Sequence, residues 1–190
     1  MTVAKVLAVD DRQENLIALE AILQGLPVEI ASVTSGDEAL KRLLVEDYAV
    51  ILLDAQMPGM DGFETASHIK RRERTRHIPI VFLTAANYDP HLAFRGYQLG
   101  AVDYLTKPLD PWVLRSKVQV FADLWKLNTE LAERAAECSA LRTAVAESLA
   151  LLPDPEITPI SLAELAVRVT RARARLAAVR PPEPANPRRT

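Results

Sequence analysis

Cysteine is almost missing from this chain: its 190 residues hold one, Cys138. No intramolecular disulfide can form, and a reducing, cytoplasmic compartment is expected. Histidine is scarce as well. His68, His77 and His91 lie beside basic or loop stretches, as surface histidines do, and no Cys/His spacing of a zinc site occurs. No apolar run approaches a bilayer span, and the apolar start from Met1 to Val9 is too short for a signal peptide before it meets Asp10-Asp11. A Gly-rich nucleotide loop and a helix-turn-helix of adequate length are also lacking, so no output domain of those kinds is legible. These absences leave a chain of globular composition, 49% apolar and 25% charged. Its length allows one ordinary domain and an appendage.

The net charge of −2 is unevenly spread. Residues 1–111 carry 11 Lys/Arg against 16 Asp/Glu, whereas residues 161–190 carry 7 Arg against 2 Glu. A basic tail of this kind is expected to be a solvated arm, and nucleic acid is not the expected partner.

Apolar runs alternate with helical patterns along the first two thirds. Ala4 to Val9, Val28 to Val33, Tyr48 to Leu53, Ile80 to Leu83 and Val102 to Leu105 read as strands. Between them, Leu16, Leu19, Ile22 and Leu23, then Ala39, Leu40, Leu43 and Leu44, then Phe63, Ala66 and Ile69 recur at helical spacing as inner faces. A further helix is expected from about His91 to Leu99, opened by Asp89-Pro90 and ended by Gly100. Five strands alternating with helices predict an α/β fold, a doubly wound parallel sheet covered on both faces.

The strand ends carry the chemistry. The first strand ends in Asp10 and Asp11, the third in Asp54, the fourth in Thr84, and the fifth runs into Thr106-Lys107-Pro108. Asp54 alone could be a turn or capping aspartate. A parallel sheet, however, brings all these ends to one edge, where ligands of such folds gather. Three crowded carboxylates repel one another unless a cation neutralises them. Oxygen-only ligands select a hard ion, and Mg²⁺ is the natural candidate. The set reads as a metal-assisted phosphate site.

Four motifs in order closely resemble the receiver domain of two-component response regulators: Val9-Asp10-Asp11, Leu53-Asp54 with Met57-Pro58-Gly59-Met60-Asp61-Gly62, Leu83-Thr84-Ala85, and Asp103-Tyr104-Leu105-Thr106-Lys107-Pro108. The resemblance covers residues 4–122 and implies a flavodoxin-like strand order 2-1-3-4-5. It implies that Asp54 is the phosphoacceptor, taking a phosphoryl group from a histidine kinase or phosphotransfer protein. Asp11, Asp54 and the backbone carbonyl of Gln56 would hold Mg²⁺, with Asp10 helping through water. Lys107 and Thr84 would meet phosphoryl oxygens, and Tyr104 would swing inward behind Thr84 as a switch. The lesser alternative for Tyr104 is a half-buried core aromatic. The resemblance also implies a cis Lys107-Pro108 bond, and it leaves Gln56 and Ala86 where members vary.

Beyond the receiver, residues 112–152 contain no Pro or Gly. Steps of three and four connect Val113, Lys117, Val120, Leu124, Leu127, Leu131, Arg134, Cys138, Leu141, Val145, Ser148 and Leu152, a coiled-coil seam with polar flaws. A parallel homodimer through this extended helix is expected, the alternative being an antiparallel hairpin within one chain. Residues 153–160 are a Pro-rich break. Residues 161–180 form a short basic amphipathic helix capped by Ser161, with Leu162, Leu165, Val169 and Leu176 on one stripe, and residues 181–190 a disordered tail.

The expected function is a phosphorylation-controlled regulator, not an enzyme, whose receiver, 1–122, speaks through a dimeric stalk. A phosphorylation-independent scaffold working through the stalk is the alternative. An aspartyl-phosphate phosphohydrolase of the haloacid-dehalogenase type is remote, because that family wants a second Asp where this chain has Gln56.

Overall fold

A computed structural model describes residues 3–85, 103–150 and 161–178. The elements in order are β1 (Ala4–Val9), α1 (Gln13–Leu23), β2 (Val28–Val33), α2 (Gly36–Val45), β3 (Val50–Asp54), α3 (Gly62–Arg71), β4 (Ile80–Ala85), β5 (Asp103–Lys107), α4 (Pro111–Leu149) and α5 (Leu162–Ala178). The expected helix from His91 to Leu99, its end at Gly100, Val102, Ala86, the break at 153–160 and the tail at 181–190 lie outside the described residues. The chain divides into two compact units, Met1–Asn128 and Thr129–Thr190, and α4 has residues in both.

In the first unit five strands pair in parallel in the order β2-β1-β3-β4-β5, as expected. Alternation along the strands divides the core. Leu7, Ile51, Leu53 and Phe82 face α2 and α3. Val6, Leu52, Val81 and Leu83 face α1 and α4, where Leu114 and Val118 are fully buried. Both sheet faces are thus covered, which is why the strands read as near-continuous apolar runs.

Four details differ from expectation, one being that the fourth strand runs past Leu83 to Ala85. The third strand starts at Val50 rather than Tyr48; Tyr48 and Ala49 are buried ahead of it, with Ala49 N donating to Lys5 O at 2.7 Å. The fifth strand extends to Lys107 because Thr106 and Lys107 pair with Thr84 and Ala85. Leu44 is 55% exposed rather than inward, since Gly36, Ala39, Leu40 and Leu43 already define the buried stripe of α2 and Leu44 falls at its margin.

Helix starts are fixed locally. Ser35 Oγ accepts from Glu38 N at 3.3 Å while the Glu38 carboxylate accepts from Thr34 N at 3.0 Å, a reciprocal cap on α2. Asp61 Oδ1 accepts from Glu64 N at 2.7 Å and starts α3. Gly59 turns the connection with φ of +76°. At Gly62 the backbone comes so close to β3 that a Cβ would lie 2.1 Å from the Asp54 carbonyl oxygen. The start of α3 is therefore pressed against the backbone of Asp54 itself.

In the second unit, Ser161 Oγ accepts from Glu164 N at 3.3 Å, capping α5. Arg175 of α5 pairs with Glu147 of α4 at 3.0 Å. The seam residues Leu131, Leu141 and Val145 remain 40–53% exposed there, and Ser148 is buried. No helix among the described residues is long and apolar enough to cross a membrane.

Gly62→Ala is expected to destabilise the fold by about 1–3 kcal/mol, because the nearest obstacles are backbone atoms that cannot swing aside. Chemical denaturation of the two proteins measures it, and an unchanged midpoint would contradict the close approach.

Candidate functional site

The carboxyl ends of β1, β3, β4 and β5 meet at one rim because all run in the same direction. Asp10 follows β1 and is fully buried, Asp11 is exposed, and Asp54, the last residue of β3, is 7% exposed. Oxygens of Asp10, Asp11 and Asp54 lie within 4.8 Å of one another. Lys107, ending β5, donates to Asp10 Oδ2 at 2.7 Å and to Asp54 Oδ1 at 3.0 Å. Four of the five strand-end residues singled out in the sequence therefore share one cluster.

Thr84, the fifth, is buried on β4, one residue beyond Leu83, the register partner of Asp54. Its hydroxyl has no hydrogen-bond partner among the described residues. A buried hydroxyl in that state costs free energy unless something that arrives at the site can accept from it. Tyr104 is half-buried, packs on the same core as Phe82, and stacks on that ring at 5.4 Å between centroids. Phe82 and Tyr104 are register partners, as are Thr84 and Thr106, so Tyr104 and Thr84 share a sheet face two residues apart. Gln56 is exposed in the connection after β3. The Lys107-Pro108 peptide is cis.

Sequence reasoning passed over one residue and read another only as part of a motif. Asn15, in the first turn of α1, donates from Nδ2 to both Asp10 oxygens, at 2.8 and 3.0 Å, and Arg12 N donates to Oδ1 at 3.0 Å. Asp10 is thus held rigidly while Asp11 stays open to solvent. Its signal was a polar side chain within one helical turn of the acid pair. The other is Gly62, whose need shows only when β3 and α3 are seen in contact.

Burial raises the pKa of Asp54 above the ordinary carboxylate value; Lys107 opposes the rise, and the charges of Asp10 and Asp11 add to it. For Lys107, burial works against the ammonium, but the hydrogen bonds and charges of Asp10 and Asp54 outweigh it and the pKa is raised. The carboxylates and the ammonium sustain each other's charge in a place that would otherwise refuse it.

With this geometry in view, the comparisons with known proteins are specific. The chain matches the response regulator receiver domain over residues 6–119, more than half of its length. It belongs to that family. It is 37% identical over 133 residues to the response regulator PleD of Caulobacter vibrioides, covering 70% of this chain and 29% of PleD. It is 36% identical over 139 residues to the sensor histidine kinase GacS of Pseudomonas protegens, covering 70% of this chain and 15% of GacS. With the alkaline phosphatase synthesis transcriptional regulatory protein PhoP of Bacillus subtilis, identity is 31% over 157 residues, 82% of this chain and 60% of PhoP. The chain thus spans less than two thirds of each of these relatives. Among solved structures, chemotaxis protein CheY4 of Vibrio cholerae superposes with a TM-score of 0.59 at 31% identity, covering 63% of this chain and 99% of CheY4. A CheY-like receiver from Methanospirillum hungatei gives 0.57 at 36% identity, covering 65% and 97%.

Because burial lifts the folded-state pKa of Asp54, its contribution favours folding in the protonated form, below the ordinary carboxylate range near ~3.9, and is lost as pH rises through the raised value. Without divalent cations, Asp54→Asn should therefore raise the thermal midpoint at pH 7, with the gain shrinking as pH falls through the raised value and gone below about 4. A lowered midpoint at pH 7 would contradict this balance.

Proposed function

We propose that Asp54 is the phosphoacceptor of a signalling receiver and that Lys107, Thr84 and a bound Mg²⁺ assist the transfer. The observation that carries this reading is the single Lys107 ammonium shared by Asp10 and Asp54, beside a buried Thr84 hydroxyl without a partner. An Asp54 oxygen attacks phosphorus, the bond from phosphorus to the donor's imidazole nitrogen breaks, and its electron pair returns to the ring. Such a transfer asks the protein for positioning and charge neutralisation more than for covalent chemistry. Lys107 is poised to meet one phosphoryl oxygen and Thr84 another.

The donor set fits Mg²⁺. It is all oxygen, one member is solvent-exposed, and the three carboxylates are close enough to share one ion. Asp11, Asp54 and the backbone carbonyl of Gln56 would hold it, with Asp10 acting through water. The ion supplies neutralisation of the carboxylates and of the phosphoryl charge. A histidine kinase or phosphotransfer protein is the proposed donor. An apolar crevice lined by Ala18, Leu19, Ile22, Leu83, Pro108 and Leu109 adjoins Asp10 and offers the proposed donor an apolar contact surface beside the site. Tyr104, sharing a face with Thr84, is the proposed switch: a phosphoryl group that recruits the Thr84 hydroxyl alters what lies beside the ring. The role is regulatory rather than enzymatic. A cytoplasmic setting suits the single exposed thiol of Cys138.

We read residues 1–122 as the signal-accepting part, and the outer stripe of α4 as a parallel homodimer seam that transmits it. Two apolar stripes run along the first half of this helix. One, with Leu114, Val118 and Ala122, is consumed by the chain's own sheet. The other, with Val113, Val120, Leu124 and Leu127, is 41–56% exposed. The same three-four spacing continues through Leu131, Leu141 and Val145. In a parallel in-register pair, Glu137 of one copy and Arg142 of the other take flanking positions of opposite charge. Within the second unit Leu131, Leu141 and Val145 stay exposed although Ser148 is buried, and these three open positions support the parallel seam over the hairpin alternative.

Incubation with phosphoramidate and Mg²⁺ should add one hydroxylamine-labile phosphoryl group, read by intact mass, and Asp54→Asn should add none. Labelling of Asp54→Asn at the wild-type rate would remove the assignment. In sedimentation equilibrium the chain should dimerise at micromolar concentration, and Leu131→Glu should return it to monomer. Dimers untouched by Leu131→Glu would place the interface elsewhere.

A further inference from the structure

Lys117 interrupts the outer stripe of α4 between Val113 and Val120, at a core position of the heptad. A lysine there would normally oppose pairing, because two copies in register set two ammonium groups in one layer. In this chain the ammonium is not loose. It is ion-paired to Asp103, the first residue of β5, with the two side chains about one third exposed, 34% and 29%. The other oxygen of Asp103 accepts from Tyr104 N at 2.8 Å, which fixes the carboxylate on the strand. The pair sits in a shallow depression also lined by Ser116, Val120 and Phe121.

An ammonium held against its own β5 leaves the four-carbon stem along the stripe and takes the charge away from the middle of the interface. Neutralisation by Asp103 also removes most of the repulsion that two Lys117 groups would feel across a dyad, where partial desolvation strengthens it. We propose that Asp103 is an interface-positioning residue: by holding and neutralising Lys117 it lets a second copy of this chain pack Val113, Val120 and Leu124 against their counterparts, so that pairing begins on the receiver and not only further along the helix. This rests on the dimer reading given above. A second copy is the occupant the stripe favours, because the same heptad spacing runs on to Leu131, Leu141 and Val145 with Glu137 and Arg142 as complementary flanking charges across an in-register pair, while the helix's other stripe is spent on its own sheet. The polar flaw within the exposed stripe is, moreover, neutralised from within the same chain.

Sedimentation equilibrium of the full chain tests it with five proteins: wild type, Leu131→Glu, Asp103→Asn, Lys117→Met and the double variant Asp103→Asn/Lys117→Met. Asp103→Asn keeps an acceptor for Tyr104 N but loses the charge, and should weaken the dimer about tenfold or more. Lys117→Met should dimerise at least as tightly as wild type, and in its presence Asp103→Asn should have no further effect, a coupling that a purely local structural role would not show. Equal affinity of Asp103→Asn and wild type, or failure of Lys117→Met to rescue, overturns the proposal while leaving the seam intact. A monomeric wild type, or a dimer indifferent to Leu131→Glu, instead removes the seam and the proposal together.

Discussion

The structure depends on one ammonium group placed among carboxylates. A parallel sheet delivers Asp10, Asp11 and Asp54 to the same rim whatever the rest of the chain does, and three acids in so small a space would push protons back onto one another. Lys107 opposes that by donating to Asp10 and Asp54 together. Its reach is set by β5, which carries strand pairing through to Lys107 itself, opposite Ala85. Asn15 and Arg12 N secure the buried Asp10 from the other side. The result is a site already organised for charge, with one acid, Asp11, still free to face solvent.

Much of this was legible before any coordinates. Alternation of apolar runs with helical patterns is dictated by burial on both sheet faces, so the five strands and their parallel pairing followed from spacing alone. The strand ends followed too, because a polar residue that closes an apolar run has nowhere to go but the rim. What spacing could not show were contacts made by shape. Gly62 is required by an approach of α3 to the Asp54 carbonyl that no periodicity records. Leu44 looked inward because apolar residues were counted without weighing their angle from the stripe's centre. Asn15 is one more polar helix residue until Asp10 is seen to need three donors, Asn15, Arg12 N and Lys107.

The long helix poses the opposite problem. Its heptad pattern was plain, but a pattern does not say which apolar positions are already spoken for. The structure divides them: Leu114, Val118 and Ala122 belong to the sheet, while Val113, Val120, Leu124 and Leu127 lie open. A helix built with two apolar stripes serves its own domain with one and has the other to offer. The relatives PleD, GacS and PhoP carry this receiver within proteins named for different tasks, and this chain spans only part of each. The receiver therefore fixes how a signal is taken up and leaves open what it is spent on.

If Lys107 holds the place that a divalent cation and a phosphoryl group will share, it competes with the cation for Asp10 and Asp54. Calorimetric titration with Mg²⁺ at low ionic strength measures that competition on the wild type and on Lys107→Ala. One ion per chain, bound more tightly by Lys107→Ala, is the predicted result. No saturable binding by either protein, or weaker binding by Lys107→Ala, would contradict the claim that these carboxylates form a single cation site governed by the lysine.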